Sequence, residues 1–256
     1  MNWTIIGCGW LGTSLGETLV QNGDSVIGTT TTLNKQKLFA EKGIKNEIFQ
    51  LNSQISTEII DFSEIIVLSI PPVDRNNVLK YGELLVDLVK QFKSTSKFIF
   101  LSSTGVYPQK EGLFNEDYSF TSSEKETSLY QAEKQLSEYL ENRLTILRLG
   151  GLFGNDRHPI YSLSGKIGIK NPLGKINFVG KKDVISVIQL IAKQQIFGEV
   201  FNVVFPNHPT RESYYTEKAK ELNLIAPTFD YSQSIFREIS SAKIQNKFGF
   251  IFAESI

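Results

Sequence analysis

Tyr130 and Lys134 stand four residues apart in Tyr130-Gln131-Ala132-Glu133-Lys134. On a helix that spacing puts a phenol and an ammonium on one face, about 6 Å apart along the axis, where they can act together. Upstream, Ser102-Ser103-Thr104-Gly105-Val106-Tyr107 supplies hydroxyls directly after the apolar run Phe98-Ile99-Phe100-Leu101. Open α/β sheets bind ligands beyond the carboxyl ends of their strands. A strand ending here therefore delivers hydroxyls to a site, with Ser103 the foremost candidate and Thr104 beside it. A third cluster is Gly7-Cys8-Gly9-Trp10-Leu11-Gly12, which follows the apolar run Trp3-Thr4-Ile5-Ile6 and precedes an amphipathic stretch. In such a turn the first glycine allows the bend and the second lets the backbone approach a pyrophosphate. The third lets the helix pack on the strand, with its N-terminal N–H groups facing the anion. The motif predicts a dinucleotide.

These groups need a scaffold, and the hydrophobic pattern supplies one. Strands are predicted at 3–7, 25–30, 44–49, 64–70, 97–102, 144–149 and 199–204, several as unbroken Val/Ile/Leu/Phe runs of the kind buried on both faces. Helices are predicted between them at 11–22, 34–42, 76–93, 128–142 and 183–195. The alternation implies right-handed βαβ crossovers and a doubly wound parallel sheet with helices on both faces. Leu129, Leu136 and Leu140 share one side of their helix. Asp183 is placed to cap the helix that carries Val184, Val187, Ile188 and Ile191. After residue 150, glycines and prolines punctuate short segments, which reads as irregular structure. A second such block begins at Pro206, with a helix near 210–222 and a further segment at Ser240–Phe248. The expected division is a dinucleotide-binding domain over 1–150 and 183–204, and a small discontinuous substrate lobe over 151–182 and 205–256.

With 27 basic and 27 acidic residues among 256, the chain has no net charge. Nothing in it resembles the basic field that nucleic acids or anionic membranes require, so the expected partner is a small-molecule substrate. One cysteine, Cys8, excludes an internal disulfide, and His158 and His208 lie too far apart for a local metal motif. A reducing cytoplasm and no metal are expected. The chain enters an apolar strand within two residues, without a basic leader, and no apolar run reaches the ~18 residues needed to span a bilayer.

The glycine turn after the first strand, Ser-Ser-Thr-Gly-Val-Tyr after the fifth and Tyr-x-x-x-Lys on the next helix together resemble the extended short-chain dehydrogenase/reductases, the NAD-dependent epimerase/dehydratase group. The similarity continues through Leu147-Arg148-Leu149-Gly150-Gly151-Leu152-Phe153-Gly154 and Gly198-Glu199-Val200-Phe201-Asn202-Val203. It implies that Tyr130 is the general acid/base and that Ser103 bonds the reacting oxygen. Lys134 then holds the nicotinamide ribose and lowers the phenol's pKa. A free phenol titrates near ~10, and one ammonium at ~4 Å in an effective dielectric of ~20 contributes ~4 kcal/mol toward bringing it to neutrality. Two departures matter. Extended members carry Gly-x-x-Gly-x-x-Gly, one residue longer than the turn here. Sugar-nucleotide 4,6-dehydratases place Asp-Glu where this chain has Thr104-Gly105, which disfavours dehydration. The resemblance also allows a homodimer built on helices 76–93 and 128–142.

The second strand, Ser25-Val26-Ile27-Gly28-Thr29-Thr30-Thr31-Thr32, ends in hydroxyls where an NAD-preferring site would place a carboxylate on the ribose 2′-OH. Thr30 and Thr31, with Lys35 as the cation, suit a 2′-phosphate, so NADP is expected over NAD. Leu68-Ser69-Ile70-Pro71-Pro72 brings Ser69, Ile70 and Pro71 beside the cofactor, the prolines ending the strand. Arg148 and Arg157 are cationic candidates near the glycine-rich stretch. Arg157, in its irregular loop, is preferred for a substrate carboxylate or phosphate. Cys8 reads as a small filler. Two other classes compete: a Rossmann-fold protein that binds NAD(P) without chemistry, and a hydroxyacid or imine dehydrogenase. The latter class usually adds a long helical domain, which the glycine-punctuated tail does not resemble.

Overall fold

A computed structural model describes residues 1–72, 78–154 and 156–256. Residues 76 and 77 of the predicted fourth helix, and Asn155 of the Arg157 loop, lie outside the described residues. In chain order the strands are β1 (Asn2–Ile6), β2 (Ser25–Thr30), β3 (Lys45–Ile48), β4 (Ile65–Leu68), β5 (Lys97–Ser103), β6 (Gly112–Phe114), β7 (Leu144–Leu149), β8 (Gly151–Phe153), β9 (Ile169–Lys170), β10 (Phe178–Gly180), β11 (Glu199–Val203), β12 (Phe229–Asp230) and β13 (Arg237–Ile239). The helices are α1 (Trp10–Gln21), α2 (Gln36–Glu41), α3 (Thr57–Phe62), α4 (Val78–Val89), α5 (Ser128–Leu140), α6 (Ile160–Leu163), α7 (Lys181–Gln194), α8 (Arg211–Glu221) and α9 (Ala242–Phe248).

Seven strands form one parallel sheet in the order β11-β7-β5-β4-β1-β2-β3. The order reverses at β1 and β4, whose pairing runs from Trp3 opposite Ile65 to Ile6 opposite Leu68. Crevices that bind ligands open at such reversals, beyond the carboxyl ends of the strands. Every residue of β4 and β7 is buried, and β4 accordingly appears in the sequence as a continuous apolar run, whereas Thr145 and Arg148 interrupt that of β7. One face of the sheet carries a core of Ile6, Ile66, Leu68, Phe98, Phe100 and Ile146 against Leu85 and Leu88 of α4 and Ala132, Leu136 and Leu140 of α5, with Leu129 partly buried at its edge. α1 lies on the other face: a Cβ on Gly12 would meet Ile5 Cγ2 at 3.1 Å, and one on Gly16 would meet Ile44 Cδ1 at 2.7 Å.

The chain divides into two compact units. The first comprises Met1–Val106, Phe120–Leu147 and Ile185–Val200, and the second Tyr107–Ser119, Arg148–Val184 and Phe201–Ile256. Tyr107–Ser119, assigned by sequence to the dinucleotide domain, thus groups with the second unit. There β6 pairs with β13, and the Tyr107 hydroxyl accepts from Arg148 Nη1 at 2.8 Å and lies 2.9 Å from Asn202 Oδ1. The blocks that read as irregular contain two further short parallel ladders, β8 with β10 and β9 with β12. A core of Ile160, Ile176, Tyr214, Tyr215 and Ala219 supports them. Strands of two or three residues are too short to show a period.

Asp183 is not the cap of its helix. α7 begins at Lys181, so Asp183 sits in the first turn. Its buried carboxyl accepts instead from Ala253 N at 2.8 Å and Glu254 N at 3.0 Å. The capping bond comes from Glu254, whose Oε2 accepts from Lys182 N at 2.7 Å, close to an acidic group's favoured place at a helix N-terminus. Asp183→Ala orphans two backbone donors and is expected to cost about 2–4 kcal/mol, measured by urea unfolding. A loss under about 0.5 kcal/mol contradicts the tail anchor.

Among the described residues no helix is long and apolar enough to cross a membrane. No group of three or more His, Cys, Asp or Glu is placed to hold a metal among them.

Candidate active site

Gly7 leaves β1 with φ +84°, and a Cβ there would sit 2.7 Å from Ser69 O at the end of β4. Only glycine fits so close an approach in the left-handed region. The turn is held by Thr29, whose Oγ1 accepts from Gly7 N at 3.0 Å and whose carbonyl accepts from Cys8 N at 2.8 Å. α1 then starts from Gly9 with no side-chain cap and no acidic residue in its first turn. An anion placed there would meet the positive end of the helix. Gly9 has φ −82°, and a Cβ on it would meet only Gly7 O, at 3.9 Å. The protein itself does not require glycine there.

A cavity of about 630 Å³ opens at this point within the first unit. Its walls come from successive carboxyl ends: Gly7, Cys8 and Gly9 after β1, Thr29–Thr31 and Lys35 at and after the end of β2, Phe49–Asn52 after β3, and Ser69–Pro71 after β4. Lys80, Tyr81 and Leu84 of α4 complete it. Phe49, Leu51, Ile70 and Leu84 offer apolar surface for a planar base, and the Tyr81 hydroxyl fixes the wall by donating to Ile70 O at 2.6 Å. Burial pushes that phenol well above its ordinary value. Among the described residues the lining holds two lysines and no carboxylate, and Lys35 Nζ donates to Cys8 O at 3.4 Å, which brings its ammonium to the glycine turn. Burial pushes the Cys8 thiol up to about 11, so little thiolate exists near neutrality and Cys8 fills space. Trp10 is partly buried, and Leu11 and Gly12 are buried in the helix start.

Sequence reasoning located the glycine, threonine, Lys35 and Ser69–Pro71 parts of this lining. It missed Phe49–Asn52, Lys80, Tyr81 and Leu84, which share no motif. The end of β3, next to β2 in the sheet, was the available signal.

The other candidates sit on β5 and α5. Ser103 ends β5, exposed, with its Oγ accepting from Gly105 N at 3.0 Å. Thr104 is buried at the start of a one-turn helical segment, Thr104–Val106. Thr127 caps α5, its side chain accepting from Tyr130 N. The Tyr130 ring is partly buried against Phe120, centroids 4.9 Å apart. Lys134 is half exposed and pairs with Glu138 at 3.7 Å. Ser103, Tyr130 and Lys134 thus come from two elements of the same unit, and in this structure each bonds to a local neighbour. Among the described residues, none of these three side chains is hydrogen-bonded to another.

Two arginines part company. Arg148 is buried, its guanidinium 5.0 Å from the Tyr107 ring centre as well as bonded to the hydroxyl, which makes it a structural strut of the second unit. Arg157 is exposed in that unit, where its backbone and that of Gly154 exchange hydrogen bonds of 2.9 and 3.0 Å. The same loop is fixed by His158. Its Nδ1 accepts from Ile160 N at 3.1 Å, so Nε2 donates to Tyr214 OH at 2.7 Å. Burial pushes this imidazole down to about 4, and it stays neutral near pH 7.

Comparisons with known proteins agree on this frame. The family described as NADP oxidoreductase, coenzyme F420-dependent, matches residues 2–90. The chain is 28% identical to Protein YeeZ of Escherichia coli K12, over 96% of this chain and 93% of that one. UDP-glucuronic acid 4-epimerase from Bacillus cereus, solved in complex with NAD, superposes with a TM-score of 0.79 at 18% identity, covering 100% of this chain and 92% of the other. dTDP-glucose 4,6-dehydratase from Bacillus anthracis, also with NAD, gives 0.80 at 16% identity, with 100% and 92% covered. In fold the chain is thus similar to structures described as NAD-bound epimerases and dehydratases and as a short-chain dehydrogenase/reductase superfamily protein.

Proposed function

We propose that the protein is an NAD(P)-dependent oxidoreductase or epimerase acting on an alcohol or carbonyl carbon of a small-molecule substrate. The observation that carries this reading is the Gly9 turn. It keeps a space the fold itself does not need, at the sheet reversal, beside a lysine-bearing cavity in which no carboxylate stands among the described residues. The neighbouring structures that contain NAD support it. Gly7 to Gly12 would hold the pyrophosphate, and the β2 to β4 ends the adenylate half. The nicotinamide, when bound, supplies or accepts a hydride.

The chain's own groups handle the rest. Ser103 Oγ holds the reacting oxygen. Tyr130 gives a proton to that oxygen during reduction and takes it back during oxidation. Lys134, swinging from Glu138, bonds the ribose. Arg157 is the proposed contact for an anionic group on the substrate, through its planar fork. Fluorescence titration with NADPH and NADH tests the reading at its base, and failure to bind either refutes it.

The same cavity favours NADPH, in keeping with the NADP-linked family matched over residues 2–90. Thr30 and Thr31 offer hydroxyls and Lys35 a charge to a 2′-phosphate. Lys35→Ala is expected to weaken NADPH about tenfold, one charge-assisted bond, and to leave NADH within about twofold. Tighter binding of NADH by the wild-type protein overturns the preference.

A further inference from the structure

The catalytic reading of Tyr130 and Lys134 leaves one buried pair between β5 and α5 without a role. Ser102 and Glu133 are each 4% exposed, and the Ser102 hydroxyl donates to Glu133 Oε1 at 2.5 Å. Glu133 lies inside the Tyr130–Lys134 turn, three residues after the phenol and one before the ammonium. A carboxyl so deeply buried is unfavourable unless it is bonded. Its immediate neighbours in the core, Ala132 and Leu136, are apolar and fully buried, so packing alone would have been served by an apolar residue at 133. Side chains alternate along a strand. Ser102 is accordingly buried toward its partner, whereas Ser103 is exposed at the strand end.

The bond therefore latches the last turn of β5 to the one turn of α5 that bears both candidate groups. A slip of one residue turns a helix by about 100° and shifts it about 1.5 Å, and displacements of about 1 Å are enough to impair a reacting geometry. We propose that Glu133 is a positioning residue, which through Ser102 fixes where Lys134 meets the nicotinamide ribose and where Tyr130 meets the substrate oxygen. The inference rests on the functional reading above and concerns the nicotinamide half of the ligand only.

The test compares each reduced dinucleotide with its own adenylate half, NADPH with 2′,5′-ADP and NADH with ADP, by equilibrium titration. Glu133→Ala is expected to weaken both dinucleotides about tenfold, the loss of one well-placed ribose bond, and to leave both halves within about twofold. Ser102→Ala should match it, and carries the same comparison if Glu133→Ala does not fold. Glu133→Gln, whose amide oxygen still accepts from Ser102, should restore the dinucleotides to within about threefold of wild type. Lys134→Ala serves as the control for the reading itself. If Lys134→Ala weakens the dinucleotides and Glu133→Ala does not, the positioning role is wrong and the reading stands. If neither weakens them, both fall. A Glu133→Ala loss shared equally by dinucleotides and halves, or no recovery in Glu133→Gln, reduces the pair to a fold support and overturns the proposal.

Discussion

Tyr130→Phe binds NADPH and NADH as the wild-type protein does, and turns over substrate at least about a hundredfold more slowly. The substitution removes one oxygen and keeps the ring that packs against Phe120. It also leaves untouched the backbone N–H by which Thr127 caps α5, so neither the helix nor the cofactor cavity has reason to change. What goes is the proton donor and acceptor at the reacting oxygen, a contribution of about 10²–10⁴ in rate for a general acid/base. The check is NAD(P)H oxidation with any carbonyl compound the wild-type protein reduces, alongside titration of the variant with both cofactors. The loss belongs in kcat, because the phenol acts on the transition state rather than on ground-state binding. A variant that keeps more than about a tenth of wild-type kcat removes Tyr130 from the chemistry and assigns the proton transfer to another group.

How much of this could be read beforehand depended on whether a feature repeats along the chain. β4 is buried throughout and was legible as an apolar run. Leu136 and Leu140, four apart, were legible as one helix face. α3 was missed because six residues hold less than two turns of pattern, although Ser56 caps it by accepting from Ile59 N. Asp183 was misjudged because its partners, Ala253 and Glu254, lie at the far end of the chain, and no local rule connects them. The site divides in the same way. The glycine turn is a contiguous motif fixed by backbone geometry, so it was visible. Phe49, Leu51, Tyr81 and Leu84 join it only once the strand order brings the ends of β1, β2, β3 and β4 side by side. The Ser102–Glu133 bond spans 31 positions and has no signature in either residue alone. Ser103 and Thr104, adjacent in sequence, separate by burial, one exposed and one enclosed, because the chain turns into a helical segment between them.

Gly9→Ala is expected to fold as the wild-type protein does and to bind dinucleotides about a hundredfold more weakly. The three glycines of the turn differ in what forbids a side chain. At Gly7 it is the backbone itself, with φ +84° and Ser69 O at 2.7 Å. At Gly12 it is the packing of α1 on Ile5, whose Cγ2 lies at 3.1 Å. At Gly9 neither applies, since φ is −82° and a Cβ would meet only Gly7 O, 3.9 Å away. A methyl group therefore fits the free protein and intrudes only on a ligand. Pushing a pyrophosphate away from the start of α1 breaks charge-assisted bonds of about 1.5–3 kcal/mol each. Two of them at the lower figure amount to about a hundredfold. Calorimetric titration with NADPH and NADH, together with a melting curve, separates the possibilities. A melting temperature within about 2 °C of wild type with binding lost places the pyrophosphate at Gly9. Unchanged affinity puts the dinucleotide elsewhere, and with it the alignment of the nicotinamide toward Ser103 and Tyr130.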